Sequence, residues 1–357
     1  MQAPRVDWSM GARAARLIDW RTASQVGRRL AGNSVSIVPA ERARLDEQLA
    51  EAVVTAQELV TSFTGLTVPG SRPRAWVMSR GQWIDSNIAS LERAIEPLAI
   101  KALGDRIGSS PWRTRALGAQ LGALLGYVSR KVLGQYDVFL PPDDEGLLYF
   151  VGPNLAGMER QYRLRPEGFR LWLALHEVTH RVQFSGAPWL RGYITEMVDT
   201  YLSTMELDPK RAIENLLRAL ENVRERRGAG TMGLVFALMT PRQLELFHQM
   251  QAVMSLLEGH ASYVMNSVGL VRIEDLDRMK RALDERRRRG GLERSFQRAI
   301  GFDQKIRQYG IGERFVAEIV EGGGMDRLNL AFEERGNLPT LQEIGEPERW
   351  LARVAPG

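Results

Sequence analysis

The sequence predicts a mainly α-helical fold carrying a small β-sheet. Three observations carry that reading. Apolar residues recur at three-and-four spacing through most of the chain, which is the period of a helix with one buried face. One short run, "LLYFVGPN" at 147–154, breaks that period with aromatic and β-branched residues set between turn formers, the pattern of a strand. The breaks between helical stretches are short, as turns within a compact body are, and no repeat or low-complexity tract interrupts them.

Taken in order, the first long helix covers 40–65, "AERARLDEQLAEAVVTAQELVTSFTG", with Gly65 as its stop. "SNIASLERAIEPLAIKAL" and "PWRTRALGAQLGALLGYVSRKVLGQY" continue the helical period. The second places Pro111 in a first turn, where a missing N–H costs nothing. The strand at 147–154 follows, with "YDVFL" as its partner across "PPDDEG". From Pro166 the chain returns to helices, broken at "SGAP", "LDP", "RRGAGT", "TP", "RRGG" and "EGGG". The tail "GNLPTLQEIGEPERWLARV" is punctuated by proline, with Leu341, Ile344, Trp350 and Leu351 expected to pack back on the body. The expected organisation is an N-terminal helical region, 1–140, packed on a region 141–357 that holds the candidate metal site, as one compact unit.

Composition narrows the chemistry. With 44% hydrophobic and 25% charged residues, the chain reads as a soluble globular protein. It has no cysteine, so disulfides, thiolate metal sites and cysteine nucleophiles are excluded, and any metal must be held by His, Asp or Glu. The N-terminus lacks a continuous apolar core, and the longest apolar stretch, around "LGAQLGALLGYVS", is too short to span a bilayer. A cytoplasmic location without a membrane partner is therefore expected. The net charge of +5 comes mostly from arginine, a bias that genome composition also produces. The run "ERRRRGG" at 285–291 follows a stretch of balancing acids and has no interleaved aromatics, so it reads as a solvated helix end. The sequence thus argues against a nucleic-acid partner.

Four histidines serve the whole chain, and two of them stand in "LWLALHEVTHRVQF", residues 171–184. Residues four apart share one face of a helix, so His176 and His180 can direct two imidazoles at one point. That is what a zinc ion asks of two of its ligands. Glu177 lies about 100° round the helix, placed to reach a metal-bound water without binding the metal. Together they form H-E-x-x-H, the helix motif whose glutamate serves as general base in metallopeptidases. Phe169, Leu173 and Phe184 continue the histidine stripe as an apolar face. The competing reading is two core histidines satisfied by hydrogen bonds, with Glu177 exposed.

A catalytic zinc site needs a third protein ligand. Phe247, Gln251, Met254, Glu258, Ala261 and Met265 share a helical face, and Glu258 interrupts that largely apolar stripe with a carboxylate that metal coordination would compensate. Glu258 is the leading candidate; a buried salt bridge to arginine is its alternative. Glu196 and Asp199 follow His180 at closer range, in a more polar stretch. His248 and His260 are the remaining candidates, although His260 lies about 200° round the helix from Glu258.

"HEVTHRVQF", "PWL" and "LEGHASYVM" resemble the gluzincin pattern, in which H-E-x-x-H is completed by the glutamate of an E-G-x-A-x-Y segment, here Glu258 to Tyr263. More closely, "VLGQYDVFLP", "LLYFVGPN", "HEVTH", "EGHASYVM", "KIRQYGIGERFV" and "NLPTLQEI" resemble a bacterial zincin-like metallopeptidase family, whose members carry hydrolase or deazaflavin-cofactor-biosynthesis labels. The resemblance runs from about residue 117 to the end, with an echo in "VDWSMGARAARLIDW". It implies a zincin-like fold with the metal site between the H-E-x-x-H helix and a later Glu-bearing helix. It further implies Zn2+ held by His176, His180 and Glu258, with Glu177 as catalytic base. The activity implied is hydrolysis of a peptide or related amide, on a peptide or protein substrate.

A zincin also needs a donor to the oxyanion that forms in the reaction. Tyr263 and His260 are the candidates. One departure stands out: the interval from His180 to Glu258 is long for gluzincins, which keeps Glu196 and Asp199 in play. "LLYFVGPN" is read either as the edge strand along which zincins lay an extended peptide or as an internal strand. "LGQYD" is read as a turn-stabilising network or as a cleft lining. A second class of function remains: a catalytically inactive helical binding or assembly protein with a structural metal.

Overall fold

The computed structural model describes residues 18–32, 37–70, 72–103, 110–137, 146–204, 239–288 and 302–355. These residues are mainly helical, with one three-stranded sheet. Packing divides the chain into two units, 1–58 with 70–181 and 59–69 with 182–357. The division expected near residue 140 lies outside the described residues.

The first unit begins with α1 (Trp20–Leu30), capped by Asp19, whose carboxylate accepts the Thr22 N–H at 3.0 Å. Next comes α2 (Pro39–Thr64), which stops as expected at Gly65, a residue with φ of 70°. After β1 (Arg74–Met78) follow α3 (Arg80–Leu103) and α4 (Pro111–Ser129), the latter with Pro111 in its first turn. The stripe Gly118, Gly122 and Gly126 explains the apolar stretch in α4. A Cβ at Gly118 would stand 2.3 Å from the Asp19 carbonyl oxygen, and one at Gly122 would stand 2.3 Å from that of Ala23. Glycine alone lets α4 lie directly on α1.

The sheet comprises β1, β2 (Gly134–Tyr136) and β3 (Leu147–Val151), in the order β1-β3-β2. β3 runs parallel to β1, with Trp76 opposite Tyr149, and antiparallel to β2, with Gln135 opposite Tyr149. The pairing of "YDVFL" with the 147–154 run thus holds at Tyr136, which faces Leu148. Every residue of β3 is buried, which explains its unbroken apolar run. Trp76 packs edge-on against Tyr149 at 5.6 Å, in a core shared with Met78, Trp83, Ile84 and Ile88.

Two expectations are corrected here. The strand ends at Val151, and "GPN" opens α5 (Gly152–Tyr162), because Pro153 has no N–H for a ladder but fits the first turn of a helix. And β3 is the central strand, so the edge-strand reading of 147–154 falls. The next helix is α6 (Pro166–Gly186), as its period predicts.

The second unit holds α7 (Trp189–Ser203), α8 (Pro241–Arg272), α9 (Leu276–Arg288) and α10 (Phe302–Glu333). Thr240 and Gln243 close a capping box at the "TP" break. The "EGGG" break is a kink at Gly324, with φ of 79° and ψ of 174°. The breaks expected at "LDP", "RRGAGT" and "RRGG" lie outside the described residues, as does the end of the basic run.

A 3-10 turn (Arg335–Asn337), α11 (Leu341–Gly345) and α12 (Pro347–Val354) form the tail. The tail packs back as expected: Ile344 and Trp350 are buried, Leu341 and Leu351 half-buried. The Trp350 indole donates to the Asn337 carbonyl at 2.7 Å. Arg353 donates to both carboxylate oxygens of Glu343, at 2.7 and 3.0 Å. No helix among the described residues is long and apolar enough to cross a membrane.

Candidate metal site

Helix α6 starts with Pro166 and Glu167, residues suited to a first turn, and buries Phe169, Leu173 and Phe184 along the predicted stripe. His176 and His180 stand on the same stripe, each half-buried. Their Nε2 atoms lie 3.2 Å apart, with the rings perpendicular at 89°. Two imidazole nitrogens bound to one tetrahedral zinc at ~2.0–2.1 Å are separated by ~3.3 Å, so the pair fits an ion without rearrangement. A histidine–histidine hydrogen bond has the same length. What separates the two readings is the carboxylate: His176, His180 and Glu258 each offer a ligand atom, and the three atoms lie within 4.8 Å of one another. Among the described residues, these form the one such group of histidine and acid side chains.

Glu258 is carried by α8. Its face is more open than the stripe suggested, since Phe247, Gln251, Met254 and Glu258 are all half-buried, while Ala261 and Met265 are buried. The core-facing side instead presents Ala252, Val253, Leu256, Leu257, Gly259 and His260. Gly259 lets α8 close on α10: a Cβ there would stand 2.3 Å from the Gly312 carbonyl carbon. That contact gives the glycine of the E-G-x-A-x-Y segment a structural reason.

The other candidates fall elsewhere. Glu196 is exposed and accepts from Arg335 at 2.8 Å. Asp199 is half-buried on α7 and His248 is exposed on α8; neither joins the group. His260 has no exposed surface, meets the Gln183 amide nitrogen at 3.0 Å through Nδ1, and lies 5.3 Å from the Phe332 ring. Tyr263 is half-buried, with its ring 6.3 Å from that of Phe63.

Glu177 is 5% exposed, which overturns the reading that left it in solvent. A carboxylate so buried needs donors. One is the Tyr136 backbone N–H, which donates to Glu177 Oε2 at 3.0 Å. The strand bearing it presses close: a Cβ on Gly134 would stand 2.7 Å from Glu177 Oε1.

Of the two readings of "LGQYD", the polar network is what its side chains form. The side chain of Gln135 accepts from the Trp83 indole at 2.7 Å and donates to Asn87 at 3.0 Å, while Asp137 accepts from the Ser90 hydroxyl at 2.5 Å. The backbone of Gly134 and Tyr136 meanwhile forms the wall behind Glu177. Sequence reasoning named Tyr136 only as a member of the "LGQYD" cluster, and it missed the contacts of Tyr136 and Gly134 with Glu177 and the whole of Gln183. The glycine before "QYD" was the one local signal available.

Two imidazoles and a carboxylate thus lie within reach of one ion, and a second carboxylate, Glu177, is buried next to His176 in the chain. The zincin-like metallopeptidase family model matches residues 18–351, and the chain belongs to that family. It is also similar to a solved protein of Chloroflexus aurantiacus, described as "a putative hydrolase with a novel fold". That match has 31% identity and a TM-score of 0.69, covering 94% of this chain and 98% of the other. Among curated proteins, none matches.

Proposed function

We propose that this protein is a gluzincin-type zinc metallopeptidase that hydrolyses a peptide or related amide. His176, His180 and Glu258 are its ligands. Nitrogen and oxygen donors in this number suit zinc, and three of them leave a position open for chemistry. When bound, zinc supplies Lewis acidity that polarises the scissile carbonyl and acidifies water.

Glu177 takes the proton of the attacking water and returns it to the leaving amine. Its burial supports this role, because the Tyr136 N–H holds the carboxylate in one place and little of it is open to bulk water. Tyr263, half-buried five residues beyond Glu258, is the proposed oxyanion donor. Full burial assigns His260 a supporting part instead.

The buried Glu177 beside the paired histidines is the observation that carries this reading. An inert histidine pair would have no use for a desolvated acid one residue away. The test is Glu177→Gln, assayed on a quenched-fluorescent peptide library. Hydrolysis is lost while zinc is retained. Hydrolysis that persists at the wild-type rate would remove Glu177 from the mechanism, and a wild type that binds zinc yet cleaves no peptide would favour the structural-metal reading.

A further inference from the structure

Resting on the reading of Glu258 as a ligand, we infer that Gln183 and His260 form a positioning lock for that ligand. Gln183 stands on α6, three residues beyond His180, and has no exposed surface. Its amide nitrogen donates one N–H to the Leu257 carbonyl at 2.9 Å and the other to His260 Nδ1 at 3.0 Å. The two acceptors flank Glu258 on either side. One amide thus grips the turn of α8 that presents the carboxylate, from the same helix that presents the imidazoles.

The grip is braced. His260 packs on Phe332, whose own carbonyl accepts the Trp189 indole N–H at 3.1 Å. Gly259, between Glu258 and His260, rests against Gly312. Residues 257, 259 and 260 are each held, and Glu258 is the one member of that turn turned to the candidate site.

Apolar packing alone would let two helices slide by a fraction of an ångström and refill the space. A buried amide that must satisfy two acceptors at once does not permit that, because a shift strands a polar group out of water. Metal ligands need such support: loss of an outer-sphere partner commonly weakens metal binding by ~10–100-fold.

The test uses zinc affinity, measured by competition with a chromophoric chelator, and the visible absorption of the cobalt(II)-substituted protein. Gln183→Leu lowers zinc affinity by ~10–100-fold and changes the cobalt spectrum, with circular dichroism unchanged. His260→Phe keeps the packing on Phe332, removes the acceptor and shifts both readouts the same way; it serves alone should Gln183→Leu fail to fold. In a Glu258→Ala background, whose weakened but measurable zinc affinity is read by the same chelator competition, neither substitution lowers it further, because the lock acts through that carboxylate.

Wild-type affinity and spectrum in both variants, beside a Glu258→Ala variant that binds zinc more weakly, would overturn the lock and leave the ligand assignment standing. Equal losses with and without Glu258 would overturn it too, as general destabilisation. Unchanged zinc binding in Glu258→Ala would instead remove the ligand assignment, and the lock with it.

Discussion

Gly134→Ala should displace Glu177, the proposed base, without touching the proposed ligands His176, His180 and Glu258. A Cβ at 134 would stand 2.7 Å from Glu177 Oε1, 2.8 Å from its Cγ and 3.0 Å from its Cδ. Non-bonded contact is comfortable near 3.5 Å, so the carboxylate must retreat by on the order of 0.7 Å. That movement stretches or breaks the bond from the Tyr136 N–H, now 3.0 Å long. A hydrogen bond to a charged acceptor contributes about 1.5–3 kcal/mol. Displacing a catalytic group by this much lowers kcat by ~10–100-fold.

The assay pairs peptide hydrolysis with zinc content by elemental mass spectrometry and hydrogen exchange at the Tyr136 amide. The expected result is a fall in kcat with little change in KM, full zinc occupancy, and faster exchange at Tyr136. A variant with wild-type kcat and unchanged exchange would show that strand β2 does not hold the base.

Other substitutions test the packing that brings these residues together. Gly122→Ala, whose Cβ would stand 2.3 Å from the Ala23 carbonyl oxygen, should cost about 3 kcal/mol in chemical denaturation. Gly157→Ala, on α5 with nothing within 4 Å, should instead stabilise by ~0.5–1 kcal/mol, and equal effects at the two sites would contradict the close α1–α4 packing. Gly259→Ala should weaken zinc binding by pushing α8 off α10, read by chelator competition; unchanged affinity would show that this contact does not place Glu258.

Glu343 gives the pH dependence. Burial alone would raise its carboxyl, but hydrogen bonds from Arg353 and Thr340 outweigh that and hold it below the usual glutamate range. A depressed folded-state value means stability present above the unfolded value of 4.5 and lost as pH falls through the folded one. Urea midpoints should therefore drop more steeply on acidification in wild type than in Glu343→Gln, and parallel curves would contradict the pairing.

Much of this architecture was legible because its causes are local. Gly65 stops α2, Pro111 opens α4, and H-E-x-x-H sits on a helix whose apolar stripe the period displays. Glu258 was found from its helical stripe and from its E-G-x-A-x-Y setting, although its face proved half-open. β1 was missed because "RAWVM" is short and its pairing partner, β3, lies some seventy residues on, so nothing nearby marks it as a strand. α5 was missed for a related reason: the proline that ends the strand also starts the helix. The supports of the site were least legible. The Tyr136 N–H on Glu177 and the Gln183 amide on Leu257 join residues 41 and 74 positions apart, and a backbone donor leaves no trace in residue type.

Metal content tests the central claim most directly. Protein purified without tag or chelator is offered zinc, dialysed and assayed by elemental mass spectrometry, as wild type, His176→Ala and Glu258→Ala. The account predicts about one zinc per chain in wild type and loss of it in both variants, with the fold intact by circular dichroism. A wild type that stays empty would contradict it, leaving His176 and His180 as a hydrogen-bonded pair.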